Sequence, residues 1–152
     1  MRAREMAQDY PTVRTDDEAL GAARLMAEQK LPGLLVTEDD GEPAAILPAS
    51  QLVRALVPGY VLEDPTLAAV IDEAHADRLC QALAGRTVGE CLPPKAGPPP
   101  VAAPDDTAVE VAALMASARS PLVAVVDRDG GVPRLLGVIT ASHLLNRLLG
   151  VK

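Results

Sequence analysis

Phenylalanine and tryptophan are absent from this chain, and Tyr10 and Tyr60 supply its only phenol rings. Proteins that grip single-stranded nucleic acid stack bases on such rings, so the usual platform is missing. Basic clusters are missing as well: 14 Lys and Arg stand against 21 Asp and Glu, a net charge of -7 with no basic run. A phosphate-backbone partner is therefore not expected. Cysteine is scarce, with Cys80 and Cys91 in no CxxC spacing, which excludes a disulfide scaffold and a four-ligand zinc site. The longest apolar stretches, such as Leu122–Val126, fall far short of the roughly 20 residues that span a bilayer. No apolar segment follows Met1-Arg-Ala-Arg-Glu5 as a signal peptide would require. The expectation is a soluble, cytoplasmic protein without membrane insertion. Its 152 residues, 49% of them hydrophobic, are enough for one compact domain and too few for two.

What the chain does have is an internal repeat. Asp16-Asp-Glu-Ala-Leu-Gly-Ala-Ala-Arg-Leu-Met-Ala-Glu-Gln-Lys-Leu-Pro32 aligns without gaps on Asp105-Asp-Thr-Ala-Val-Glu-Val-Ala-Ala-Leu-Met-Ala-Ser-Ala-Arg-Ser-Pro121. In the first copy Thr15 or Asp16 supplies a helix cap, Leu20, Ala23 and Ala27 recur at helical spacing, and Pro32 ends the pattern. This predicts a helix of about four turns. A strand over Leu34–Val36, an acidic Gly turn over 38–42, a strand over Ala44–Leu47 and a helix from Ala49 to Leu56 follow. The second copy repeats the order: a helix from Asp106 to Arg119, strands Leu122–Val126 and Leu135–Ile139, then a helix Ala141–Leu149. Its hairpin is three residues longer. Thr12-Val13 and Val101-Ala102 are the leading strands. A unit this small cannot hide its own sheet, so the two copies should pack on each other as a pseudo-dimer. The expected organisation is repeat 1 over residues 1–57, a helical linker over 58–86 and repeat 2 over 87–152, forming one module.

In the linker, Asp64 caps and Pro65 opens a helix, the stripe Leu67, Val70, Ile71, Ala74 shifts phase around His75-Ala-Asp77, and Gly85 stops it. A kinked helix or two short ones are expected. His75 with Asp72, Glu73 and Asp77 matches no metal-ligand spacing, and a solvated acidic face explains it better. Asp127-Arg-Asp-Gly130 lacks the remaining ligands of a calcium loop and reads as a hairpin turn. Cys80 and Cys91 read as small buried fillers. Arg119 and Lys30 occupy equivalent positions, where they complement a helix C-terminus or reach a phosphate. No nucleophile, paired carboxylates or Gly-rich phosphate loop stands out, so no catalysis is expected. The helix over 107–118 is apolar around most of its circumference, through Val109, Val111, Ala112, Leu114, Met115 and Ala118. Leu144, Leu145, Leu148 and Leu149 add to it. This surplus is covered either by the linker or by a second copy, and a homodimer is the expectation.

The duplicated helix–hairpin–helix, and above all Gly137-Val-Ile-Thr-Ala-Ser-His143-Leu-Leu, resembles the cystathionine-beta-synthase (CBS) domain pair, or Bateman module, of the small stand-alone bacterial type. The resemblance covers all but about residues 58–86. It implies an α/β fold of two β-α-β-β-α units packed as a pseudo-dimer. It also implies a regulatory, energy-sensing role in which AMP, ADP, ATP or S-adenosylmethionine binds between the repeats and a regulated enzyme or transporter responds. No catalytic cofactor is implied. By the family's pattern, Thr140, Ser142 and His143 would meet phosphate and ribose, while Val101, Ala102, Leu122 and Val123 enclose the adenine. Thr140 stands where strand becomes helix, so its hydroxyl and the free N–H groups of the first turn suit an anion. The sequence departs from the family at the ribose-binding Asp, which is His143 in one copy and Gln51 in the other. Neither offers the charge-assisted acceptors of a carboxylate. The first-copy site, of Val13, Leu34, Pro48 and Gln51, also lacks the Thr hydroxyl and reads as degenerate. A dimerisation or interaction scaffold with decayed nucleotide sites is the alternative function.

Overall fold

The computed structural model describes residues 1–57, 59–70, 78–93 and 97–150. The first repeat contains β1 (Thr12–Arg14), α2 (Ala19–Gln29), β2 (Gly33–Thr37), β3 (Pro43–Pro48) and α3 (Ala49–Leu56), preceded by a single turn, α1 (Ala3–Met6). The second contains β4 (Val101–Ala102), α6 (Ala108–Ala118), β5 (Leu122–Asp127), β6 (Arg134–Thr140) and α7 (Ala141–Leu149), preceded by another single turn, α5 (Val88–Cys91). Between them lie α4 (Gly59–Glu63) and 3-10 turns at Pro65–Val70 and Leu79–Leu83. Asp64 does cap its turn, accepting from the Thr66 N–H and hydroxyl at 3.2 and 2.7 Å. The expected phase shift around His75-Ala-Asp77, the stripe residues Ile71 and Ala74, the acidic face of Asp72, Glu73, His75 and Asp77, and residues 94–96 lie outside the described residues.

Each repeat makes a three-stranded α/β sheet in which the leading strand runs parallel to the second and the hairpin closes antiparallel. The two registers are equivalent. Leu35 lies opposite Ile46, and Ala124 lies opposite Val138, which locates the three extra residues of the second copy in its hairpin. Both hairpins are irregular at the same step, after Val36 and after Val125. The long helices end alike, on Lys30 and Arg119 in the left-handed conformation at φ 54° and 51°.

The helix starts differ. At α6 the Thr107 hydroxyl accepts from the Glu110 N–H while Glu110 reaches back to the Thr107 N–H, both at 3.2 Å, a reciprocal cap. At α2 neither Thr15 nor Asp16 caps. Asp17 instead accepts from the Arg14 N–H at 2.8 Å, and the helix begins only at Ala19, whose N–H donates to the Arg86 carbonyl at 2.9 Å. The helix is therefore about three turns long, one fewer than expected.

Strand alternation sorts the apolar residues into three cores. Leu34, Val36 and Leu47 face Ala22, Met26 and Leu52 of the first repeat's helices. Val123, Val125 and Ile139 face Val111 and Leu144 of the second's. The opposite faces meet sheet to sheet, Leu35 packing among Leu122, Ala124, Val126 and Val138. The copies thus cover each other, and Arg128 ties the two hairpins by a bidentate pair with Glu42, at 2.6 and 3.1 Å.

Neither α1 nor α5 is expected from the sequence, and they cross over. Ala3 and Met6 are fully buried in the second repeat's core. The Ala3 and Arg4 N–H groups donate to the carbonyls of Asp106 and Pro104 at 2.8 and 2.9 Å. Reciprocally, Val88 and Cys91 are buried in the first repeat's core, where the Val88 and Gly89 N–H groups donate to Asp17 and Thr15 at 2.8 and 2.9 Å. The chain-order partition at 57 and 87 is therefore crossed by packing, each repeat being completed by a turn of helix that precedes the other.

Candidate functional site

The sheet-to-sheet interface has a pseudo-twofold axis, so each feature on one side has a counterpart on the other. One side is open. A cavity of about 320 Å³ is walled by Ile46 and Pro48 from the end of β3, by Pro98–Pro100 leading into β4, and by Arg119, Ser120 and Pro121 leading into β5. Its walls come from opposite repeats. Its size sits at the lower edge of small-molecule pockets, about 300–1,000 Å³. Proline rings and Ile46 give it apolar walls, and among the described residues lining it Arg119 is the charged one. Among the described residues no carboxylate forms an ion pair with Arg119. Ser120 is held in place, donating to the Leu122 carbonyl at 2.7 Å and accepting from the Leu122 N–H at 3.2 Å. An arrangement of flat apolar surface beside one cation suits a small anion that carries a ring.

The residues singled out in the sequence are distributed as follows. Thr140 is the cap of α7; its hydroxyl accepts from the His143 N–H at 3.2 Å and lies 3.3 Å from the Ser142 hydroxyl. These three are together at one strand-to-helix junction, with Thr140 and His143 half-buried and Ser142 exposed. The Thr140 hydroxyl is thus already engaged with its own helix. Leu122 is Thr140's register partner, yet its side chain is fully buried between the sheets. Ala102 and Val123 point into the second repeat's helix-side core, and Val13 and Leu34 into the first's, because alternation sends them away from the interface. Val101 is half-buried beside the interface core. Pro48 lines the open cavity, and Gln51 is half-buried one turn into α3. Thr140, Ser142 and His143 do not border that cavity, whereas Pro48, from the side that reads as degenerate in sequence, does.

The counterpart of the open cavity lies where Thr140 and Val138 face the segment leading into β1. Tyr10 stands there, at the position equivalent to Pro99. Its ring packs on the interface core of Leu35, Leu122 and Val138, and its hydroxyl donates to the Gly33 carbonyl at 2.6 Å. Burial pushes the phenol pKa above its ordinary value.

Sequence reasoning did not assign Ile46, Ser120, Pro121 or the proline run to the site. Arg119 carried a signal, its equivalence with Lys30. The described residues hold no cluster of metal-binding side chains, and none of their helices is long and apolar enough to cross a membrane.

Comparison with known proteins agrees with this architecture. The CBS domain profile matches residues 3–58 and 93–150. A CBS domain-containing protein of unknown function from Kribbella flavida is 48% identical, over 98% of this chain and 99% of that one, with a TM-score of 0.85. The CBS-pair protein CBSX2 from Arabidopsis thaliana is 18% identical, over 99% and 95%, at a TM-score of 0.72. CBSX2 in complex with AMP is likewise 18% identical, over 99% and 97%, at 0.66. A search of curated proteins gives no match.

Proposed function

Because the chain belongs to the CBS-domain family and carries the domain twice, we propose that it is a non-catalytic regulatory module whose inter-repeat cleft takes an adenosyl ligand such as AMP, ADP, ATP or S-adenosylmethionine. The observation that carries this reading is the cavity walled by both repeats, with Arg119 beside apolar walls of proline and Ile46. A pair of the same fold in complex with AMP supports the ligand class. A ligand seated between the repeats alters a partner only if it prefers one arrangement of the repeats over another, so regulation consists of that difference in affinity. The partner is an enzyme or transporter, and the setting is the cytoplasm.

Thermal-shift assays with AMP, ADP, ATP, S-adenosylmethionine and inorganic phosphate test the reading. A nucleotide should raise the midpoint where phosphate alone does not. Arg119→Glu should weaken binding by about tenfold or more, since a lost charge-assisted hydrogen bond is worth about 1.5–3 kcal/mol. Unchanged affinity in that variant would assign the anion contact elsewhere. Absence of any shift favours the second reading, a dimerisation or interaction scaffold, to which Pro48, Gln51 and His143 in place of the family's hydroxyl and carboxylates lend support.

Either function is served by a homodimer built on the second repeat's helices. Val109, Leu145, Leu148 and Leu149 are 71%, 55%, 47% and 72% exposed on α6 and α7. At the equivalent positions of the first repeat, Leu20, Leu56 and Val57 are half-buried, and only Val53 is exposed. The turn at Leu79–Leu83 packs on α2 and α3 there, with Leu83 buried. No described segment does the same for α6 and α7. Sedimentation should give twice the 15.8 kDa chain mass, and Leu148→Asp should give the monomer with its circular dichroism preserved. A wild-type monomer would remove this assembly.

A further inference from the structure

We infer that Tyr10 is a built-in occupant of the Thr140 half of the cleft, so that the pair is one-sided and offers a single seat, the Pro48 half. This deepens the adenosyl-binding reading and rests on it for the identity of the ligand. The argument starts from the pseudo-twofold. Tyr10 and Pro99 are equivalent, each two residues before the leading strand's first residue. Pro99 is a compact ring that lines the open cavity. Tyr10 places a longer ring at the matching point, packs it against the interface core to which Leu35, Leu122 and Val138 belong, and anchors its tip to the Gly33 carbonyl.

Two backbone bonds hold its segment in that position. The Gln8 N–H and carbonyl bond Val138 on both sides, at 3.0 and 2.9 Å, fixing the backbone two residues before the ring. In the other half the equivalent residue is Gly97, and no backbone bond joins it to Ile46, the counterpart of Val138. The two halves therefore differ in backbone anchoring as well as in the residue that faces the cleft. The resulting asymmetry sets stoichiometry: one nucleotide per chain where the repeat count alone suggests two.

The absence of tryptophan makes the test direct. In a Tyr60→Phe protein, Tyr10 is the sole tyrosine, and acrylamide quenching reads its exposure. A quenching constant several-fold below that of the urea-unfolded protein is expected; equal constants would overturn the inference whatever the ligand. Calorimetry with AMP then reads the seats. The wild type and Tyr10→Phe should each bind one AMP per chain, and Tyr10→Ala should bind two. Two sites in the wild type, or one in a folded Tyr10→Ala, would overturn one-sidedness while leaving nucleotide binding intact. If neither AMP, ADP nor ATP binds any of these proteins, the adenosyl reading falls and the quenching result alone decides whether Tyr10 fills its half. The same quenching result decides if Tyr10→Ala does not fold.

Discussion

Leu35→Ala is expected to lower the free energy of unfolding by about 2–5 kcal/mol, the range for emptying a closely packed leucine site. For a chain of this length that corresponds to a fall in melting temperature of about 5–15 °C. Leu35 is fully buried, and it is the one fully buried residue that the first sheet sends across to the second, among Leu122, Ala124, Val126 and Val138. Its neighbours Leu34 and Val36 point to the first repeat's own helices. The substitution therefore empties the joint between the repeats and leaves each repeat's own core intact. Urea denaturation followed by circular dichroism measures it, with Val53→Ala, 58% exposed on α3, as a control expected to stay within about 0.5 kcal/mol of wild type. A loss below 1 kcal/mol in Leu35→Ala would mean that the sheets do not rely on this contact.

Gly137→Ala should cost about 2–4 kcal/mol, by overpacking together with broken hydrogen bonds. A Cβ at this position would lie 2.6 Å from the Gln8 carbonyl oxygen, 3.0 Å from its nitrogen and 3.1 Å from the Ala7 Cβ. Two of those atoms are backbone, so the conflict is not relieved by turning a side chain. The segment carrying Gln8 must lift, and with it go the paired bonds to Val138 and the seat of Met6 in the second core. Hydrogen exchange should show the amides of Ala3, Arg4 and Gln8 losing protection ahead of β5 and β6. The equivalent residue of the first repeat, Ala45, already bears a Cβ. Unchanged protection at Gln8 would contradict the close approach.

Much of the repeat architecture was legible because it is local. The bounds of Ala49–Leu56 and Ala141–Leu149 follow from a strand that ends on Pro48 or Thr140 and an amphipathic run after it. The extra length of the second hairpin follows from the change of alignment after the acidic turn. The crossing helices were not legible, because a four-residue turn is too short to show a period. Thr87-Val-Gly-Glu90 did hold a capping signature, and Thr87 and Glu90 form the reciprocal cap of α5. The cleft was half legible. Thr140 sits at the junction its motif marks, yet the walls of the open cavity combine Pro48 with Pro121, 73 residues apart in the chain. Which junction faces which strand start is a property of sheet-to-sheet packing, and no spacing along the chain encodes it. Tyr10 entered the sequence argument only as one of two rings; its role depends on a neighbour, Gly33, that the fold supplies.

The reciprocal crossing of the single-turn helices bears on how the molecule comes apart. Opening the first repeat exposes the pocket for Val88 and Cys91, and releasing those residues pulls on the strand start at β4; opening the second does the same to β1 through Ala3 and Met6. Neither half has a complete interior of its own, so heat should melt both in a single cooperative step, with matching calorimetric and van't Hoff enthalpies. The duplicated units behave thermally as one knot of chain, with no half-melted species in which one repeat outlives the other.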